Sequence, residues 1–251
     1  DSRFGSEKEL IELRHRLRQA DMKLVLDMVV NHMGYDAPFA DANPEWFNPP
    51  LDIADWNDTE QLTNRRIFGL PDFASQKPVV KTFFRLVGRH WIERLQPDGF
   101  RLDAVKHVPL DFWRDFNSSS QNDGGSGFLL LGEYLHGDPK ATLKIWKDGG
   151  FNSLFDFPLY YTMKDVFANG ADMRRLASRI YFDRNYPDAG LLATFLDNHD
   201  LDRFMMVATP FFNHGAMENK GLNIFNDTCV LGRTETATDA TISFIERVVA
   251  H

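Results

Sequence analysis

The chain has 251 residues with 28 Lys+Arg against 36 Asp+Glu, a formal net charge of −8, and 43% hydrophobic and 25% charged residues, which argues against wholesale disorder. The acidic balance argues against a nucleic-acid partner, which needs clustered Lys and Arg, and no apolar run approaches the roughly eighteen residues of a membrane-spanning helix. A single cysteine, Cys229, leaves no internal disulfide and no cysteine-based zinc cluster.

The first residues, Asp1-Ser2-Arg3-Phe4-Gly5, have neither an initiator Met nor a basic-then-apolar leader, and we read them as the interior of a longer protein. Ser6-Glu7-Lys8-Glu9 is a capping box that opens a helix with Leu10, Leu13 and Leu17 on one face. Lys23–Val30 is an apolar run of the buried-strand type. Residues 33–77 lack sustained periodicity and are rich in Pro, Asn, Asp and aromatics, so they form a small inserted subdomain or a functional excursion.

From Pro78, the recurrence of Val79, Phe83, Val87, Trp91 and Leu95 predicts a helix, ended by Gln96-Pro97-Asp98-Gly99. Gly99–Val105 and Phe128–Gly132 read as strands, and Ser153–Leu159 and Leu191–Leu196 as weaker ones. Between these weaker strands, Met163, Val166 and Phe167 suggest a helix. Ser118–Gly127 is the one low-complexity stretch, and its composition is a poor helix former. Helices alternating with buried strands indicate α/β architecture with a parallel sheet, open or closed into a barrel. In a barrel the chemistry sits where the strands end.

Polar residues stand at each of these ends. The first strand finishes Asp27-Met-Val-Val-Asn31-His32, and the second carries Arg101, Asp103, Lys106 and His107. Arg101 and Asp103 are two apart and share one face, with Leu102 opposite. The third strand ends at Glu133, and the last at Asp197-Asn198-His199-Asp200. One such ending is usually a cap or a solvated loop. Three separate carboxylates converging with an arginine and several histidines need another explanation. Carboxylates at close quarters repel unless cations compensate or one stays protonated. Glycoside hydrolysis uses that combination, one carboxylate as nucleophile and one carboxyl as proton donor. The aromatic content, 13% with 22 Phe, suits a large core or a sugar-stacking cleft.

The segments DMVVNH (27–32), GFRLDAVKH (99–107), LLGEY (130–134) and FLDNHD (195–200) resemble the four ordered motifs of the alpha-amylase superfamily of glycoside hydrolases. Leu70-Pro71-Asp72-Phe73 resembles that family's additional motif between the first two. The resemblance runs from residue 1 to about 207 and implies a partial (β/α)8 TIM barrel, about strands three to seven, built from 1–32 and 78–207, with 33–77 as the excursion after the third strand. It implies a retaining hydrolase of α-1,4-glucans such as starch and maltodextrins, with no nucleic-acid or membrane partner. Asp103 would be the nucleophile, Glu133 the general acid/base and Asp200 the residue that binds the distorted sugar. Arg101 would orient Asp103, His32 and His199 would bond sugar hydroxyls, and Lys106 and His107 would line the leaving-group side. A structural calcium would take Asn31, Asp72 and the His107 carbonyl, oxygen donors of the kind calcium prefers. Asp27 is open between support of this site and simple structural service.

Two features depart from that pattern. The resemblance places the family's first two strands before Asp1, and the eighth strand expected after 207 has no counterpart in the sequence that follows. There, Gly215-Ala-Met-Glu-Asn219 lies in a segment, about 208–251, that resembles the zinc-dependent aminopeptidase N family, whose GAMEN glutamate (here Glu218) contacts a substrate's amino group. His251 aligns with the first His of that family's HExxH motif. Catalytic zinc needs three protein ligands, so no complete zinc site is expected. We read the tail as foreign to the barrel, joined near Met206-Val207-Ala208, in a chimeric or misassembled chain. The alternatives are a cyclomaltodextrinase or glucanotransferase of the same superfamily, an inactive or merely glucan-binding chain, and a zinc aminopeptidase, which the missing HExxH disfavours.

Overall fold

In a computed structural model of the chain, residues 5–201 and the backbone of three short strands between 206 and 226 are described. The chain divides into two units, Asp1–Leu159 with Ala177–Ala193, and Tyr160–Leu176 with Thr194–His251.

The first unit is built on a parallel sheet whose strands follow chain order: β1 (Val25–Met28), β2 (Gly99–Leu102), β3 (Leu129–Gly132), β4 (Ser153–Phe155) and β5 (Leu192–Ala193). The expected α/β class and strand order are observed, with shorter strands than the apolar runs suggested. Register pairs Asp27 with Arg101, Arg101 with Leu131, and Leu102 with Gly132. Gly99 permits the close approach of β2 to β3, because a Cβ there would lie 2.4 Å from the Leu129 Cβ. Val30, Phe100, Leu102, Leu130 and Leu154 are completely buried on the helix-covered face. On the other face of β1, Val25 and Val29 remain exposed.

Helix α1 (Glu7–Gln19) opens on the predicted capping box, Ser6 and Glu9 each accepting from the other's backbone N–H. Its buried residue, however, is Arg14 rather than Leu13, which is 48% exposed. Arg14 reaches across to the Gln96 carbonyl (2.8 Å from Nη2) and the Asp98 carboxylate (2.8 Å from Nη1), fixing the turn before β2.

The excursion holds two short helices, α2 (Pro38–Ala42) and α3 (Thr59–Asn64), the latter capped by Asp58. It is held by aromatic packing, with Phe47 stacked on Phe73 at 4.5 Å and Trp46 edge-on to Phe83 at 5.2 Å. Helix α4 (Pro78–Leu95) buries Val80, Phe84, Gly88, Ile92 and Leu95, one residue round from most of the predicted stripe. Phe83, Val87 and Trp91 are half-buried beside them, so its apolar face is wider than a single row.

Helix α5 (Leu110–Gly124) runs through most of the stretch that composition marked as a poor helix former. Packing overrides propensity here. Phe112, Trp113, Phe116, Asn117 and Ser120 are buried, Phe112 and Phe116 stack at 5.9 Å, and Asn117 donates to the Gly149 carbonyl at 2.9 Å. Gly125 ends the helix at φ +89, a backbone conformation suited to glycine. Helix α6 (Pro139–Gly149) follows β3 and is capped by Asp138.

Helix α7 (Phe157–Met163) continues into a π-turn at Lys164–Ala168, and α8 (Met173–Phe182) follows. Both helices contribute residues to the two units. Of the predicted apolar positions there, Val166 is buried and Phe167 is 58% exposed. Within the first unit, the buried Arg179 pairs with Asp156 and Asp183.

In the second unit β6 (Met206–Thr209), β7 (Ala216–Asn219) and β8 (Leu222–Asn226) form their own sheet, β8 central, parallel to β6 and antiparallel to β7. Among the described residues these tail strands pair with one another. The Glu218 side chain and His251 lie outside the described residues.

Ser118 is an exposed position within α5, so its effect is nearly pure propensity. Ser118→Ala should raise stability by about 0.5 kcal/mol. Urea unfolding checks this, and a lowered midpoint would contradict the helix.

Candidate active site

The parallel sheet brings polar residues to the C-terminal ends of β1, β2 and β3. Asp27 and Arg101 are register partners on one face, and Asp103 follows two residues on. The Arg101 guanidinium bridges three carboxylates. Its Nη1 lies 2.8 Å from Asp27 Oδ1 and 2.5 Å from Asp103 Oδ1, and its Nη2 lies 2.7 Å from Glu133 Oε1. Glu133 is the most buried of the three at 8% exposure, whereas the Asp27 side chain is 58% exposed. Burial opposes the charge on Arg101. The Asp27 hydrogen bond and the charges of Glu133 and Asp103 outweigh it and hold the guanidinium above its ordinary value.

The backbone after Asp103 serves the same group. Ala104 has φ +50, a left-handed conformation that costs a non-glycine residue roughly 1–2 kcal/mol. Its N–H donates to Glu133 Oε2 at 3.3 Å, and the next N–H, of Val105, donates to the Glu133 carbonyl at 3.0 Å. A 3₁₀ turn, Val105–His107, then carries Lys106 and His107. The buried Trp113 ring holds it by donating to the Val105 carbonyl at 3.1 Å.

His32 and His107 stand around Asp103. Burial lowers the His32 imidazole below its ordinary range, and Asp103 pulls it part of the way back. Burial pushes His107 down to about 4, against the Leu62 carbonyl bonded to its ring (3.1 Å) and the Asp103 charge. Lys106 and His32 add to the lowering. Both rings are therefore neutral at pH 7, suited to hydrogen bonding rather than to charge pairing. Beside His107 lies Trp56 (edge-on, 5.9 Å), itself 6.2 Å from Phe68, and both aromatic rings are exposed. Sequence reasoning passed over this pair because the excursion has no periodicity to mark it.

Two of the expected calcium ligands, Asn31 and Asp72, lie at the join of excursion and sheet. His32 and Asp72 form an antiparallel bridge, and Phe73 N–H donates to the Asn31 carbonyl at 2.8 Å. Asn31 and Asp72 are both buried. Burial pushes the Asp72 carboxyl up to about 7, and the Asn48 amide at 2.8 Å offsets only part of this. A buried carboxylate with no cation recorded beside it among the described residues, next to a buried amide, suits a hard cation with oxygen ligands. Among the described residues no three His, Cys, Asp or Glu side chains are grouped to hold a metal, so the set depends on amide and carbonyl oxygens.

Asp200 and His199 belong to the second unit, in the loop after β5. His199 Nε2 lies 3.2 Å from Asp200 Oδ2, and the Asn198 side chain accepts from the Asp200 N–H at 2.9 Å. The first unit thus gathers Asp27, Arg101, Asp103, Glu133, His32 and His107.

A family model described as the alpha amylase catalytic domain matches residues 1–66, and one described as the peptidase family M1 domain matches residues 192–251. The alpha-amylase of Geobacillus thermoleovorans, solved with acarbose, superposes with a TM-score of 0.75 at 38% identity, over 81% of this chain and 46% of that one. This chain belongs, over most of its length, to the alpha-amylase family. The Anoxybacillus alpha-amylase gives a TM-score of 0.74, also at 38% identity, over 80% of this chain and 45% of its own. The beta/alpha-amylase of Paenibacillus polymyxa is 33% identical over 219 residues, 82% of this chain and 17% of that protein. Alpha-amylase 2 of Schizosaccharomyces pombe is 28% identical over 216 residues, 80% of this chain and 36% of that protein. The alpha-amylase-family chain therefore spans less than half the length of each of these relatives.

Arg101 is the cation common to the three carboxylates. Arg101→Met should destabilise the chain by about 3 kcal/mol, because it breaks a largely buried ion pair with Glu133 and removes the cation that Asp27 and Asp103 share. Thermal or urea unfolding reads this, and a loss under about 1 kcal/mol would show that the carboxylates do not depend on Arg101.

Proposed function

We propose that this chain carries the catalytic carboxylates of a retaining glycoside hydrolase acting on α-1,4-glucans. The observation that carries the reading is one arginine shared between Asp103 and the buried Glu133. Retaining glycosidases need two carboxyls close together, about 5–5.5 Å apart, which leaves no room for a water between sugar and nucleophile.

In this scheme Asp103, oriented by Arg101, attacks the anomeric carbon. Glu133 gives its proton to the departing glycosidic oxygen and then takes one from the water that resolves the glycosyl-enzyme. The resemblance gives Asp200 the role of binding the distorted sugar. The neutral rings of His32 and His107 and the Lys106 ammonium hold hydroxyls around the cleaved bond, and the exposed faces of Trp56 and Phe68 offer the sugar an apolar surface. Asn31, Asp72 and the His107 carbonyl would hold a calcium ion, which would supply charge to a buried carboxylate and fasten the excursion to the sheet.

The carboxylate roles separate by leaving group. Glu133→Gln should cut hydrolysis of maltooligosaccharides by 10²-fold or more while sparing substrates with an activated leaving group, which need little protonation. Asp103→Asn should abolish both. Equal loss on both substrates in Glu133→Gln would remove Glu133 from the acid role.

The calcium proposal has a thermal readout. An ion that binds only the folded state stabilises it by about 2.7 kcal/mol at one hundred times its Kd. The melting temperature should rise with added calcium and fall with a chelator, and Asp72→Asn should flatten that response. A melting temperature indifferent to calcium in the unaltered chain would overturn the site.

A further inference from the structure

We propose that Asp27 is a positioning residue that competes for the Arg101 charge and so keeps Glu133 able to hold a proton. The inference rests on the glycosidase reading for its functional meaning, and on the Arg101 contacts for its physics.

The two working carboxyls have opposite needs. The nucleophile Asp103 must be ionised, and the acid Glu133 must be protonated when substrate arrives. Arg101 touches both, so it helps the first and opposes the second. A guanidinium within hydrogen-bond distance lowers a carboxyl's pKa by roughly one to three units, which would leave a glutamic acid ionised at neutral pH. A third carboxylate on the same cation answers this. Asp27 Oδ1 sits 2.8 Å from Nη1, the same nitrogen that holds Asp103 at 2.5 Å, while Glu133 takes Nη2. Its negative charge cancels part of the field that Glu133 feels.

The arrangement suits this task. Asp27 is the register partner of Arg101 on the neighbouring strand, so its contact with the guanidinium is set by the backbone. Its side chain is mostly exposed, so it does not bear the desolvation that Glu133 bears. Among the described residues, the charged and titratable groups near the pair include Asp27 from β1, Arg101 and Asp103 from β2, and His32, Lys106 and His107 around Asp103. An exposed aspartate with a structural role alone would leave the Glu133 titration unmoved.

The test titrates Glu133 directly in the full chain, by carbon NMR of protein labelled at the glutamate side-chain carboxyls, with the Glu133 signal assigned by its loss in Glu133→Gln. Asp27→Asn should lower the Glu133 midpoint by roughly half a pH unit or more. Asp27→Glu, which restores a carboxylate on the same strand position, should bring it back. In rate measurements on a maltooligosaccharide, the alkaline limb should move the same way in Asp27→Asn. An unchanged or raised midpoint in Asp27→Asn overturns the inference. So does an Asp27→Asn chain that fails to fold, since the argument requires an exposed charge that the fold does not need. The two readings fail separately. A lowered midpoint in a chain that hydrolyses no glucan upholds the charge balance and sinks the glycosidase reading, while an unmoved midpoint in an active chain does the reverse.

Discussion

One guanidinium shared among three carboxylates is the constraint on which the rest of the site depends. Asp27, Asp103 and Glu133 come from three strands and are brought together only if those strands run parallel and in register. An antiparallel neighbour would send one of them to the opposite end of the sheet. The helices satisfy that condition by covering one face with Phe84, Phe112 and Phe116, packed over Phe100 of β2, so that the strands can carry polar groups at their ends. The apolar core and the charged site are two faces of one arrangement.

Much of this was legible in the sequence because parity along a strand and the order of elements are written locally. Arg101 and Asp103 share a face by spacing alone, and the capping box at Ser6 follows from short-range pattern, whereas the order of the five strands in the sheet was implied by the family resemblance. What escaped was decided by tertiary partners. Leu13 is apolar yet exposed, because the position next to it was claimed by Arg14 for the Gln96 carbonyl and Asp98. The helix through Ser118 and Ser120 persists because aromatic residues a turn earlier anchor it. Register between strands is not written in either strand, so the pairing of Asp27 with Arg101 left that aspartate ambiguous until the sheet was assembled. Trp56 and Phe68 lay in a segment with no period to read.

The two ends of the chain match different family models. The chain is similar to alpha-amylases over about four-fifths of its length, while residues 192–251 match a peptidase family M1 model. The peptidase match begins at the last strand of the parallel sheet. Among the described residues the tail strands pair with one another, β8 lying between β6 and β7.

Ala104 carries a consequence for how such a site can vary. It never presents a functional group, yet its left-handed backbone aims an N–H at the Glu133 carboxyl. Alanine at this position is a compromise. Glycine would adopt the conformation freely but would loosen the segment between nucleophile and acid, and a β-branched residue could not adopt it at all. The range of acceptable residues is therefore narrow at a position with no chemistry of its own. Libraries that randomise only substrate-facing side chains would miss it, and a design that transplants Asp103 and Glu133 without this one backbone twist would carry both carboxylates and lack the donor between them.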